Sequence, residues 1–241
     1  MKIAILEADH VLDDLKMVHG DYPAMFERLL SAVDDTLEFE TFSVIDGIYP
    51  SSLEFDGFLI TGSRFSAYDQ IEWVDALKDF IVKLFEHGKS IIGICFGHQI
   101  IATALGGETK KAPQGWGVGV STSRFYEKPD WIIDPEGTTF NLLVSHQDQV
   151  VALPPQATLL AGSEFCPYGM YQIADRVLTF QGHPEFSREY DRALMDRRKE
   201  ILGEAVYNAG VESLKLPIDS LRVASWMLAF LRYTNRNHPA D

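Results

Sequence analysis

Cations are scarce in this sequence. Its 21 Lys and Arg face 35 Asp and Glu, a net charge of −14. Such acidity opposes non-specific attachment to nucleic acid or to an anionic membrane, so neither is expected as a partner. Cysteine is scarcer still: Cys95 and Cys166 are the two in 241 residues, too few for a disulfide framework. No apolar run is long enough to span a bilayer. Met1 leads straight into Ile3-Ala4-Ile5-Leu6, without the apolar region and small-residue cleavage site of an export signal. Reduced thiols in a cytoplasm are therefore expected. The Gly-x-x-x-x-Gly-Lys-Ser/Thr loop that cradles nucleotide phosphates is missing. No regular His/Cys spacing predicts a metal, and no cofactor is expected.

What is present is ordinary globular material, 46% hydrophobic and 23% charged, on a chain long enough to bury a substantial core. Residues 2–8, 38–45, 58–61 and 90–94 read as strands. Residues 9–20 read as a polar loop. Asp21 is placed to cap a helix that Pro23 opens and that carries the stripe Met25, Phe26, Leu29, Leu30. Residues 71–85 repeat apolar side chains at helical spacing and close at His87-Gly88. Strands alternating with helices predict an α/β fold, an open, mostly parallel sheet with helices on both faces. From 107 to 161 the chain turns to Gly, Pro, Thr and Val, which predicts an antiparallel extension with strands near 118–121, 142–144 and 158–161. A hairpin turning at Ala174-Asp175 follows. Helices are expected over about 187–208 and 218–233, then a frayed tail from 234. One domain over 1–241 is expected, with a core of about 2–187 and a helical extension of about 188–235. The basic run Arg197-Arg198-Lys199 reads as a solvated helix face.

The stretch with the sharpest chemistry is Ser90-Ile91-Ile92-Gly93-Ile94-Cys95-Phe96-Gly97-His98-Gln99. An apolar strand breaks through a glycine-flanked cysteine into a helix. Such an elbow holds one side chain out at the end of a sheet, and the helix N-terminus there favours a thiolate. Cys95 is the candidate nucleophile. Gln181-Gly182-His183-Pro184-Glu185 follows another predicted strand. If both strands share a parallel sheet, His183 reaches the thiol as acid and base, and Glu185 orients its imidazole. A structural histidine at a strand end is the plain alternative for His183 taken alone. Cys166 lacks an elbow and reads as a packed thiol.

Gly93-x-Cys95-x-Gly97-x-Gln99, followed by His183-Pro184-Glu185, resembles the class I (triad) glutamine amidotransferases, closest to the stand-alone GMP-synthase-like branch that includes γ-glutamyl peptidases. The resemblance implies a flavodoxin-like sheet and a γ-glutamyl thioester on Cys95. It implies oxyanion donors at the amide of Phe96 and at Gly62 or Ser63, where the family commonly has Gly-Gly-Pro and this chain has Gly62-Ser63-Arg64. It also implies that Gln99, Ser145 and His146 position the substrate. That substrate is either glutamine, with ammonia passing to a separate synthetase subunit, or a γ-glutamyl compound. A non-catalytic protein that keeps the fold is the reading from outside enzymology. The intact Cys95, His183 and Glu185 stand against it.

Overall fold

The computed structural model describes residues 1–132 and 137–237. In chain order it runs β1 Lys2–Glu7, α1 Asp13–His19, α2 Tyr22–Ser31, β2 Glu38–Ser43, β3 Gly57–Ile60, α3 Glu72–Glu86, β4 Ile91–Ile94 and α4 Phe96–Ala104. It continues β5 Glu108–Lys111, β6 Gly117–Phe125, β7 Thr139–His146, β8 Asp148–Ala152, β9 Ala157–Gly162, β10 Met170–Ile173 and β11 Val177–Phe180. Helices α5 Arg188–Arg197, α6 Lys199–Ser213 and α7 Ser220–Asn237 complete it.

One nine-stranded sheet has the order β2-β1-β3-β4-β11-β10-β9-β6-β7. Its first five strands are parallel. β3, β4 and β11 are buried at every residue, as a strand covered on both faces must be, which explains their unbroken apolar runs. Phe26 and Leu30 of α2 and Met227 and Phe230 of α7 cover one face. Val74, Leu77 and Ile81 of α3 and Ile100 and Ile101 of α4 cover the other. Beyond β11 every pairing is antiparallel. The extension then curls back: past β11 the chain bridges Leu143 of β7, with the His183 amide donating to the Leu143 carbonyl at 2.8 Å. That bridge carries the end of β7 over the carboxyl edge of the parallel strands, the edge where open α/β sheets bind ligands. Among the described residues no helix is long and apolar enough to cross a membrane.

Four expectations change. The loop expected over 9–20 contains α1, which buries only Leu15 and so shows no apolar stripe to read. Strands β5 and β8, which were not expected, pair as a separate two-stranded ribbon. The long helix expected over 187–208 breaks at Arg198 into α5 and α6, and Gly203 at φ +75° interrupts α6 again. The frayed tail begins later than Thr234: α7 continues to Asn237, and the Thr234 hydroxyl donates to the carbonyls of Asp175 and Phe230. The rest of that tail lies outside the described residues.

Candidate active site

Cys95 stands between β4 and α4 with φ 53° and ψ −100°, a conformation that residues with a side chain seldom adopt unless their surroundings impose it. The surroundings do so here. The Cys95 amide donates to Phe180 of β11 at 2.8 Å. Gly97 lets α4 close against β3, since a Cβ on it would lie 2.4 Å from the Ile60 carbonyl oxygen. The amide of Phe96 opens α4, where first-turn N–H groups have no intrahelical acceptor and the helix dipole is positive.

His183 and Glu185 follow β11, the strand beside β4. Nδ1 of His183 donates to Glu185 Oε1 at 2.7 Å, which leaves Nε2 for another partner. The ring stacks on Phe186 at 3.8 Å and 11°. Both ends of the pair are buried. Burial alone lowers the pKa of His183, but the charges of Glu185 and Cys95 outweigh it and hold the imidazolium well above its ordinary range. His183 and Cys95 meet at Gly62. A Cβ there would meet His183 Cε1 at 2.9 Å and Cys95 Cβ at 3.7 Å.

The loop after β3 is fastened by three aspartates. Buried Asp9 accepts the Arg64 amide at 2.8 Å and grips its guanidinium. Asp69 accepts the Ser66 amide, and Asp148 accepts the hydroxyls of Ser66 and Tyr68. Arg64 is therefore half of an ion pair. Ser63 lines the cavity, whereas Gly62 is buried beneath it.

A cavity of about 200 Å³ opens beside Cys95, with Ser63, Gln99, Ser145, His146, Trp116 and Arg198 among its lining. The structure thus brings the expected substrate-positioning residues to the thiol. Their polar atoms are largely spoken for. Gln99 Nε2 donates to the Asp148 carbonyl at 2.8 Å and to Gln181 Oε1 at 3.1 Å. His146 Nδ1 donates to the same carbonyl at 3.0 Å. Burial lowers the His146 pKa to about 4, so at neutral pH it is an uncharged ring with Nε2 left as an acceptor. Cys166 is the inert counterpart of Cys95: burial, with the charge of Cys95 adding to it, pushes its thiol up to about 12. Asp21 caps α2 and accepts the Val11 amide, apart from this cavity.

Two residues gained significance only in the structure. Gln181 places Nε2 3.6 Å from Cys95 Sγ, linking the thiol to Gln99. Its position two residues before His183 was the available signal. Arg198 is no solvated face. At the α5–α6 break it turns into the wall and donates to Ser145 Oγ at 2.6 Å.

Comparison with known proteins gives the family. Residues 35–199 match the family model described as glutamine amidotransferase class-I. The chain is 33% identical to gamma-glutamyl peptidase 4 of Arabidopsis thaliana over 189 residues, covering 76% of this chain and 74% of that one. It is 30% identical to a glutamine amidotransferase-like protein of Schizosaccharomyces pombe over 245 residues, covering 95% and 98%. In fold it is similar to a glutamine amidotransferase from Methylobacillus flagellatus, with a TM-score of 0.75 at 20% identity over 100% of this chain and 96% of that one. The family match spans well over half the sequence and includes both the elbow and His183-Pro184-Glu185, and the chain accordingly belongs to the class-I glutamine amidotransferases.

Proposed function

We propose that this protein hydrolyses γ-glutamyl amide bonds through a thioester on Cys95. The observation that carries the reading is the meeting of an elbow thiol, a carboxylate-held imidazole and Gly62 at one point. The thiolate attacks the γ-carbonyl carbon. The oxyanion that forms takes hydrogen bonds from the amide of Phe96 and from that of Ser63, the member of the Gly62-Ser63 pair that lines the cavity. Losing one such donor costs about 10²-fold or more in rate. As the C–N bond breaks, His183 Nε2 gives its proton to the leaving nitrogen. It then takes a proton from the water that attacks the thioester, releasing glutamate and restoring the thiolate. Glu185 keeps Nδ1 protonated and stabilises the imidazolium. Gln99, Ser145 and His146 seat the glutamyl group.

Two substrates fit this chemistry. Glutamine would yield ammonia for a separate synthetase subunit. A γ-glutamyl peptide would need no such acceptor, and the relatives named gamma-glutamyl peptidases favour it. A nucleophile that must stay a free thiol suits the cytoplasm, which we propose as its compartment.

The test measures glutamate and ammonia separately on glutamine and on γ-glutamyl peptides. Cys95→Ala is expected to lower glutamate release at least about 10⁴-fold without a loss of melting temperature. A Cys95→Ala protein within tenfold of wild type would sink the thioester. So would a Cys95 that a glutamine-like electrophile labels no faster than Cys166.

A further inference from the structure

Two arginines line the cavity, and they are used differently. Arg64 lays its guanidinium on Asp9, with Nε 2.9 Å from Oδ2 and Nη2 2.6 Å from Oδ1. Among the described residues Arg198 pairs with no carboxylate. Nη1 donates to Ser145 Oγ at 2.6 Å, and its guanidinium carbon lies 5.2 Å from the centre of the Trp116 ring. Asp191, buried in α5, feels its charge without forming an ion pair with it. The helix break fixes Arg198 in place: its amide donates to Leu194 at 3.1 Å, and its carbonyl accepts from Leu202 at 2.8 Å. A half-buried guanidinium, held by its backbone and left without an anion, is a prepared receptor for a carboxylate.

The other charges on the wall indicate which carboxylate. Lys111 and Asp148 stand opposite each other in the β5–β8 register, and both line the cavity. One cation and one anion match the α-carboxylate and α-ammonium of a γ-glutamyl group, which cancel. Arg198 is then one positive charge in excess, on a protein of net charge −14. Glutamine leaves that charge unanswered, because its leaving group is ammonia. A γ-glutamyl peptide with a free C-terminus answers it.

We propose that Arg198 binds the carboxylate of the leaving group, and that Trp116 backs the leaving residue. The favoured substrates are then γ-glutamyl peptides that end in a free carboxylate. This inference rests on the γ-glutamyl hydrolase reading above and names its substrate class.

The test compares γ-glutamylglycine with γ-glutamylglycinamide, which differ only in the terminal charge, and adds glutamine as a third substrate. A charge-assisted hydrogen bond predicts that wild-type enzyme prefers the acid over the amide by about tenfold or more in kcat/KM, mostly through KM. Arg198→Met brings that ratio to about one. Arg198→Lys, which keeps the charge and loses the fork, leaves an intermediate ratio and covers the case in which the methionine variant folds poorly. A wild-type ratio near one overturns the proposal. So does a ratio unchanged in the variants, with acid and amide losing rate equally, because Arg198 would then serve the glutamyl α-carboxylate common to both. Failure of the parent reading looks different: wild-type enzyme releases glutamate from none of the three, and the inference falls with it.

Discussion

The wall of the cavity that carries Cys95 grows from strands buried at every residue, whereas the facing wall is assembled from half-exposed strand ends and a helix break. On the first wall, backbone contacts set the geometry. The Cys95 amide is tied to β11, and Gly97 lets α4 close on β3. On the second, side chains set it: Arg198 on Ser145 and His146 on the Asp148 carbonyl, which also takes Gln99 from the first wall. A backbone-built wall keeps its shape while loops change around it. A side-chain-built wall can be re-aimed by single substitutions. Chemistry on the first and selectivity on the second is the division that this contrast supports.

Glu185→Gln probes the first wall most severely. The amide keeps the shape of the carboxylate but removes the largest of the influences that raise the His183 pKa. A general acid–base pair of this kind contributes about 10²- to 10⁴-fold, so a kcat loss in that range is expected. With the carboxylate gone, the imidazolium gives up its proton more easily. The alkaline limb of the kcat/KM profile therefore moves to lower pH. A profile of unchanged shape, merely scaled down, would show that Glu185 does not tune the histidine.

Gly62→Ala asks how tightly the first wall must close around the thiol. The new Cβ would sit 2.9 Å from His183 Cε1, so the ring must shift. A displacement of about 1 Å near reacting groups costs about 10²-fold, read in kcat rather than KM. Equal loss on glutamine and on γ-glutamyl peptides is expected, since the proposed acid–base role of His183 would serve both. Loss confined to peptides would place Gly62 on the selective side of the division.

This contrast also explains what the sequence made legible. The elbow was readable because strand, glycine, cysteine and helix are consecutive. Gln181 to Glu185 was readable for the same reason, and a parallel sheet, though not its strand order β2-β1-β3-β4-β11, followed from apolar runs alternating with helical stripes. The second wall was hidden by distance along the chain. Arg198 meets Ser145 across 53 residues, Arg64 meets Asp9 across 55, and Asp148 meets Ser66 across 82. Each partner alone looks like a surface residue. In α1 only Leu15 is buried, and β5 reads Glu-Thr-Lys-Lys; such segments are ordered by what they pack against more than by any pattern of their own.

Asp191 gives the smallest effect and a test of the second wall's foundation. It lies in α5, fully buried, with the Gly119 amide turned toward its carboxylate and no side-chain partner among the described residues. Burial raises its pKa to about 7, against the opposing charges of His183 and Arg198. In the unfolded chain an aspartate titrates near 4. Between about pH 4 and 7 the unfolded state has released this proton while the folded state still holds it, so stability falls as pH rises through that window and levels off above it. The gap corresponds to an upper bound of about 4 kcal/mol. Asp191→Asn removes the titration and keeps the shape. The variant is expected to match wild type near pH 4 and to melt higher at pH 8, by a few degrees for a chain of this length. Parallel melting curves across pH would mean that Asp191 is already paid for by Arg198 in the folded state. Arg198 would then hold a carboxylate of its own, and its claim on the substrate would weaken with it.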